Sequence, residues 1–134
     1  YNARRDNLER FWKGQFGRTH GVALWHHFYE HVARDGKDVV LEFTPTGQPM
    51  MGVACVFSHW TPPAGSDEPD LWSFAAVTDD PPPEVAAAGH DRCIVPLKAE
   101  HYSTWLNPDP ANLGTLQAVL DDRERYYYEH RMAA

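Results

Sequence analysis

Hydrophobic positions along the 134-residue chain change period several times, and each change marks an element. From Asp6 to about Gly14, Leu8, Phe11 and Trp12 recur at spacings of three and four behind a capping aspartate, which predicts a short amphipathic helix. From Gly21 to Val32 the residues are aromatic, β-branched and histidine-rich, which predicts one strand. Trp25 and His27 would lie on one side of it, with His26, Phe28 and Glu30 on the other. Asp35-Gly36 is a turn signal and Val39 to Thr44 has strand composition, so the two runs read as a hairpin. A second turn at Thr46-Gly47-Gln48-Pro49 leads into Met51 to Ser58, and after a proline-rich loop Leu71 to Thr78 gives a fourth strand.

Helices are expected to cover that sheet. Asp80 would cap Pro81 to Ala88, Ala99 to Leu106 reads as a turn or two, and Asp109-Pro110 opens a last helix. In the last helix Leu113, Leu116, Leu120 and Tyr127 would follow one face, while Asp121, Asp122, Arg123, Glu124 and Arg125 face water. The order of elements, helix then strands then helices, defines an α+β fold with a mainly antiparallel sheet and flanking short helices. No repeat or compositional break divides the chain, so one domain spanning residues 1–134 is expected.

Composition narrows the function. Aromatics make up 13% of residues, which excludes disorder, and no apolar run approaches the ~20 residues that cross a bilayer. With no signal-peptide pattern, the expectation is a cytoplasmic protein without membrane contact. Cys55 and Cys93 are too few for a disulfide framework and form no C-x-x-C pair. A net charge of −7 argues against holding nucleic acid by bulk electrostatics, so any such contact must be local. The chain opens at Tyr1, directly into an N-A-R stretch, so a segment of a longer protein, incomplete on its amino-terminal side, is expected.

Four places hold candidate chemistry. The run Trp25-His26-His27-Phe28-Tyr29-Glu30-His31 suggests a metal, but on a strand His27 and His31 stand about 13 Å apart, too far to share one zinc. No metal or cofactor is expected. Glu30 shares a strand face with Phe28, and a carboxylate on an apolar side suits proton transfer; the alternative is a solvent-facing or arginine-paired acid. His90 and Arg92 follow the helix-ending Gly89, where His90 could shuttle protons and Arg92 could hold an anion, or both could be structural. Asn2 and Arg4 would point the same way along an extended segment, unless that end simply frays.

Asn2-Ala3-Arg4, Phe28-Tyr29-Glu30, His90-Asp91-Arg92 and Trp105-Leu106-Asn107-Pro108 occur in one order, and that order resembles the SRAP family of SOS-response-associated peptidase-like proteins. The resemblance covers Asn2 to about Pro108 and implies a barrel-like sheet. It also implies a sensor of abasic sites in single-stranded DNA that crosslinks itself to the lesion. In that family an amino-terminal cysteine attacks the ring-opened sugar aldehyde, and its amine and thiol together close a thiazolidine. Carried over by motif, Asn2 would position the reacting amino end, Glu30 would handle protons, His90 would assist proton transfer, and Arg4 and Arg92 would grip flanking phosphates. The family's peptidase label implies self-processing at the amino end.

Several positions depart from the family pattern. His31 stands where an aromatic follows the glutamate, Cys93 follows His-Asp-Arg in place of methionine, and the acid of the first motif appears as Asp6-Asn7. The tail Tyr126-Tyr127-Tyr128-Glu129-His130 also differs. Neither Cys55 nor Cys93 can supply an α-amine, so the 134 residues alone cannot form the thiazolidine. The alternatives are a non-catalytic module of the same family that holds single-stranded DNA or a protein, and a histidine-based metal hydrolase.

Overall fold

A computed structural model of the protein describes residues 2–133. Among the described residues, eight strands form two sheets. The first contains β1 (Asn2–Arg4), β2 (His20–Trp25), β5 (Met51–Trp60), β6 (Leu71–Asp79) and β7 (Cys93–Ile94), in the order β1-β6-β5-β2, with β7 also on β6. The second contains β3 (Phe28–Arg34), β4 (Lys37–Pro45) and β8 (Tyr128–Met132), in the order β3-β4-β8. Three short helices, α1 (Pro83–Ala87), α2 (Tyr102–Leu106) and α3 (Leu113–Asp121), complete an α+β fold. All strand pairs are antiparallel except β1 with β6, and the two sheets do not close into a barrel.

Each face of the first sheet covers its own core. On one side Leu8, Phe16, Val56, Val77, Trp105, Leu116 and Leu120 pack together; on the other, Phe28, Phe43, Met51, Val53, Val85 and Tyr128 fill the space between the sheets. Each large side chain so buried contributes about 1.5–3 kcal/mol. Trp105 is fully buried, and its indole N–H donates to the Gly21 carbonyl at 3.0 Å, joining α2 to β2. Glycine at position 52 lets Tyr102 close over β5, because a Cβ there would overlap the Tyr102 hydroxyl and ring. Gly52→Ala should therefore cost about 1–3 kcal/mol, read as a lower urea midpoint.

The β3–β4 hairpin forms as expected, with Asp35 and Gly36 both at positive φ in the two-residue turn. Three expectations are corrected. Residues 6–14 are not an α-helix: a 3-10 turn (Arg5–Asn7) leads into successive turns, in which Arg10 N–H bonds Asn7 and Lys13 N–H bonds Arg10, three residues back. Only Leu8 of the apolar trio is fully buried there, and Phe11 is exposed.

The run from Gly21 to Val32 is two strands in different sheets, broken at His26-His27. Trp25 and Phe28 both enter the core between the sheets. An odd spacing would send them to opposite faces of a straight strand, so the chain must bend between them.

The last helix ends at Asp121. Tyr127 is exposed, Tyr128 is buried, and residues 128–132 pair with β4 as strand β8. Asp109 does not cap that helix; its carboxylate accepts the Ala111 N–H within a preceding turn.

Candidate functional site

Strand alternation places the candidate residues. Ala3 is opposite Val77, and both belong to the core under α2 and α3. Asn2 and Arg4, one step away on either side, therefore face the inter-sheet side with Ala76. On β3, Phe28 and Val32 enter the inter-sheet core, so Glu30 between them faces the same space. His90 arrives from the other direction. Gly89 ends α1 at φ +107, and its backbone passes so close to Val32 that an added Cβ would lie 3.6 Å from that side chain. β7 begins three residues after His90 and takes over pairing with β6 where β5 peels away after Ala76.

The result is a contact between residues 60 positions apart: His90 Nε2 lies 3.0 Å from Glu30 Oε2, with both side chains less than one-fifth exposed. Burial pushes the Glu30 carboxyl above its usual range, and the opposing pull of His90, His31 and Arg92 only partly offsets it. The other ring nitrogen, Nδ1, lies 2.8 Å from the Arg92 carbonyl and 3.2 Å from the Arg92 N–H. Neutral His90 can thus donate from Nε2 to Glu30 while Nδ1 accepts from the amide, and imidazolium can donate to the carboxylate and to the carbonyl.

Arg4 and Arg92 line one small cleft of about 180 Å³ with Arg5, Asp6, Thr78, Asp79 and Asp80. Two buried polar atoms there, Thr78 Oγ1 and Arg92 Nε, have no hydrogen-bond partner. Unsatisfied buried donors in a cleft suit a ligand with acceptor oxygens. Arg4 is held at 3.2 Å by Asp6. Asn2 is exposed on the shared face, and the structure records no contact from it to Glu30 or His90.

Sequence reasoning overlooked Thr78, Arg5, Asp79 and Arg123. Arg5 reaches Asp79 at 3.1 Å, Asp121 at 2.6 Å and the Gln117 side chain at 2.9 Å, fastening the end of β1 to α3. Arg123, expected to face water, instead bonds the same Asp79 carboxylate. These two guanidiniums hold the Asp79 carboxyl below its usual range against the effect of burial. The only advance signal was an Asp-Asp pair closing a strand.

The histidine run makes no metal cluster. His31 bonds Asp38 at 2.8 Å, and His27 bonds the Tyr29 hydroxyl at 3.2 Å. Among the described residues one other group, Glu100, His101 and Asp122, has ligand atoms within 4.8 Å of one another. There Asp122 is already shared by Lys98 at 2.7 Å and His101 at 2.8 Å. Both cysteines are buried; desolvation pushes the Cys55 thiol up to about 11 and Cys93 up to about 12, so neither is a ready nucleophile. No helix among the described residues is long and apolar enough to cross a membrane.

The protein is thus a two-sheet α+β domain with a carboxylate–imidazole pair beside an arginine-lined cleft. Residues 1–132 match the family described as SOS response associated peptidase (SRAP), and the chain belongs to that family. Its fold is similar to those of a protein from Bordetella bronchiseptica (TM-score 0.74, 19% identity, 99% of this chain and 64% of that one) and a protein from Bacteroides thetaiotaomicron (0.73, 14%, 99% and 58%). A phage-related protein from Bordetella bronchiseptica is also similar (0.69, 22%, 98% and 62%). The chain spans about three-fifths of the length of these structures. No curated protein matches it.

Proposed function

We propose that this domain engages abasic sites in single-stranded DNA and supplies the proton-transfer and phosphate-binding groups for their covalent capture. The observation that carries the reading is the largely buried Glu30–His90 contact at 3.0 Å, in the space between the sheets that Asn2 and Arg4 face from the first sheet. The ring-opened sugar offers an aldehyde. An α-amine adds to it, water leaves as the imine forms, and a thiol on the adjacent carbon adds to the imine carbon to close the thiazolidine. Each step moves a proton at the reacting centre, and Glu30 with His90 is suited to accept and return it. Asn2 orients the amino end, and Arg4 and Arg92 hold the phosphates on either side. Thr78 Oγ1 adds a donor in the same cleft.

The amino-terminal cysteine that reacts must come from outside these 134 residues, since Cys55 and Cys93 are internal and buried. The same observation favours a second reading, in which the domain binds abasic strands without crosslinking and without self-processing peptidase activity. Denaturing gel electrophoresis after incubation with an abasic oligonucleotide separates the two. A shifted band from protein carrying an amino-terminal cysteine supports capture; reversible binding alone supports the module.

Noncovalent affinity should depend weakly on salt. Against a charge of −7, two or three phosphate contacts give a slope of log affinity on log salt of roughly −1.4 to −2.1. Arg92→Ala should weaken binding alike for all base sequences and flatten the slope by about 0.7. Fluorescence anisotropy across a salt series measures both, and an unchanged slope removes Arg92 from the phosphate site.

A further inference from the structure

Asp79 and Asp80 line two cavities at once. One is the cleft of Arg4, Arg92 and Thr78; the other, of about 560 Å³, lies between Pro81-Pro82-Pro83 and the segment 123–126 that runs from α3 to β8, with Ile94 also in its lining. That volume is in the range of sites that hold a small organic group. Both walls are stiff. Three consecutive prolines have a fixed φ and no N–H to offer. The facing segment is tied down by Arg123 on Asp79, by the Glu124 N–H donating to the Pro96 carbonyl at 3.0 Å, and by the Tyr128 N–H donating to the Glu84 carboxylate at 3.0 Å. Between these ties Tyr126 is half-buried against the inter-sheet core, its ring at 73° to that of Tyr128.

Charge in the lining is unevenly paired. Asp79 is held by Arg5 and Arg123, whereas among the described residues the carboxylates of Asp80 and Glu124 have no ion-pair or hydrogen-bond partner. Asp79, Asp80 and Glu124 balance Arg5, Arg123 and Arg125, so the cavity suits a neutral ring that carries hydrogen-bond donors, and a phosphate belongs in the arginine-lined cleft beside it. We propose that the cavity receives the base of a nucleotide adjoining the abasic residue, stacked on Tyr126 and donating its exocyclic amine to Asp80 or Glu124. A strand whose phosphate lies on Arg4, Arg92 and Thr78 carries its next base past Asp79 and Asp80, which belong to both cavities. Stacking takes any base, but the carboxylates accept from the amine of cytosine and face a carbonyl oxygen on thymine. The proposal rests on the DNA reading above and adds to it a choice of neighbouring base, which phosphate contacts alone do not give.

Fluorescence anisotropy of the 134-residue chain tests it, using single strands that carry one unreactive tetrahydrofuran abasic analogue, with the base on each side of it varied in turn. On one side, cytosine should bind about fivefold or more tighter than thymine. Tyr126→Ala should weaken the cytosine strand about 5- to 100-fold and leave unchanged a strand with no base at that position, while Tyr126→Phe should bind as the unaltered chain does. Asp80→Asn with Glu124→Gln should bring cytosine and thymine to within about twofold of each other. Equal binding of cytosine and thymine on both sides overturns the proposal and leaves the DNA reading standing. So does a loss in Tyr126→Ala that is the same with and without the base, or a discrimination that survives Asp80→Asn with Glu124→Gln. A chain that binds none of these strands overturns both.

Discussion

Glu30→Gln should slow crosslinking to an abasic single strand by about 10²- to 10⁴-fold while leaving the fold intact, the range expected when a positioned acid–base group is lost. Glutamine keeps the size of the side chain, and its amide oxygen can still accept from His90 Nε2, now 3.0 Å from the carboxylate. What it loses is the ability to take a proton. Burial raises the Glu30 carboxyl, so the acid limb of the pH–rate profile should lie above the ordinary carboxylate range, with rate rising as the group deprotonates. In the variant that limb should vanish. Single-turnover rates on denaturing gels, measured in protein with an amino-terminal cysteine, give both readouts. An unchanged rate and limb would remove Glu30 from the chemistry and leave the pair structural.

The second large effect concerns stability. His20 is 5% exposed, enclosed by Phe16 and Trp105, and used at both nitrogens: Nε2 accepts the Gly17 N–H at 2.8 Å and Nδ1 donates to the Trp105 carbonyl at 2.9 Å. Burial disfavours the charged ring and lowers its pKa to about 4 from an ordinary 6.5, against the smaller opposite pull of the Trp105 carbonyl. Because the unfolded chain takes up the proton first, the contribution is fully present above about pH 6.5 and is lost as pH falls toward 4. The shift is worth ~3 kcal/mol at most. Urea midpoints should therefore drop steeply between pH 6.5 and 4. His20→Gln, whose carbonyl can still take the Gly17 N–H, should be less stable at pH 7 and flatter below it. Parallel profiles for the two proteins would show that acid sensitivity arises elsewhere.

How much of this was legible depended on whether a signal was local. The β3–β4 hairpin is written in Asp35-Gly36 and its alternating flanks, and the class of fold followed from the order of such segments. The break at His26-His27 left no Gly or Pro behind. It follows from where Trp25 and Phe28 must both go, which is a property of two sheets and not of seven residues. β8 was hidden because Asp121 to Arg125 continue a plausible helical surface, and only pairing with Leu41 to Pro45 makes Tyr128–Met132 a strand. In the site, Glu30, His90 and the arginines stood out as polar residues in apolar or rigid settings. Thr78 did not, since an isolated threonine at a strand end is ordinary until its hydroxyl is found buried without a partner.

The short strand that carries Asn2 and Arg4 also dictates when the site can exist. It would leave the ribosome ahead of its every anchor: its backbone partners are Ala76 to Thr78, and Arg5 behind it is tied to Asp79, Gln117 and Asp121. Contacts that close loops of 70 to 120 residues form late, because the chain entropy they cost is recovered only once the rest is in place. A nascent or truncated chain can build the β3–β4 hairpin, which needs nothing distant, yet it has no arginine-lined cleft until β1 pairs with β6. Synthesis therefore brings Arg4 and Arg92 together as a late act of folding, and a partly made domain lacks the cleft they line.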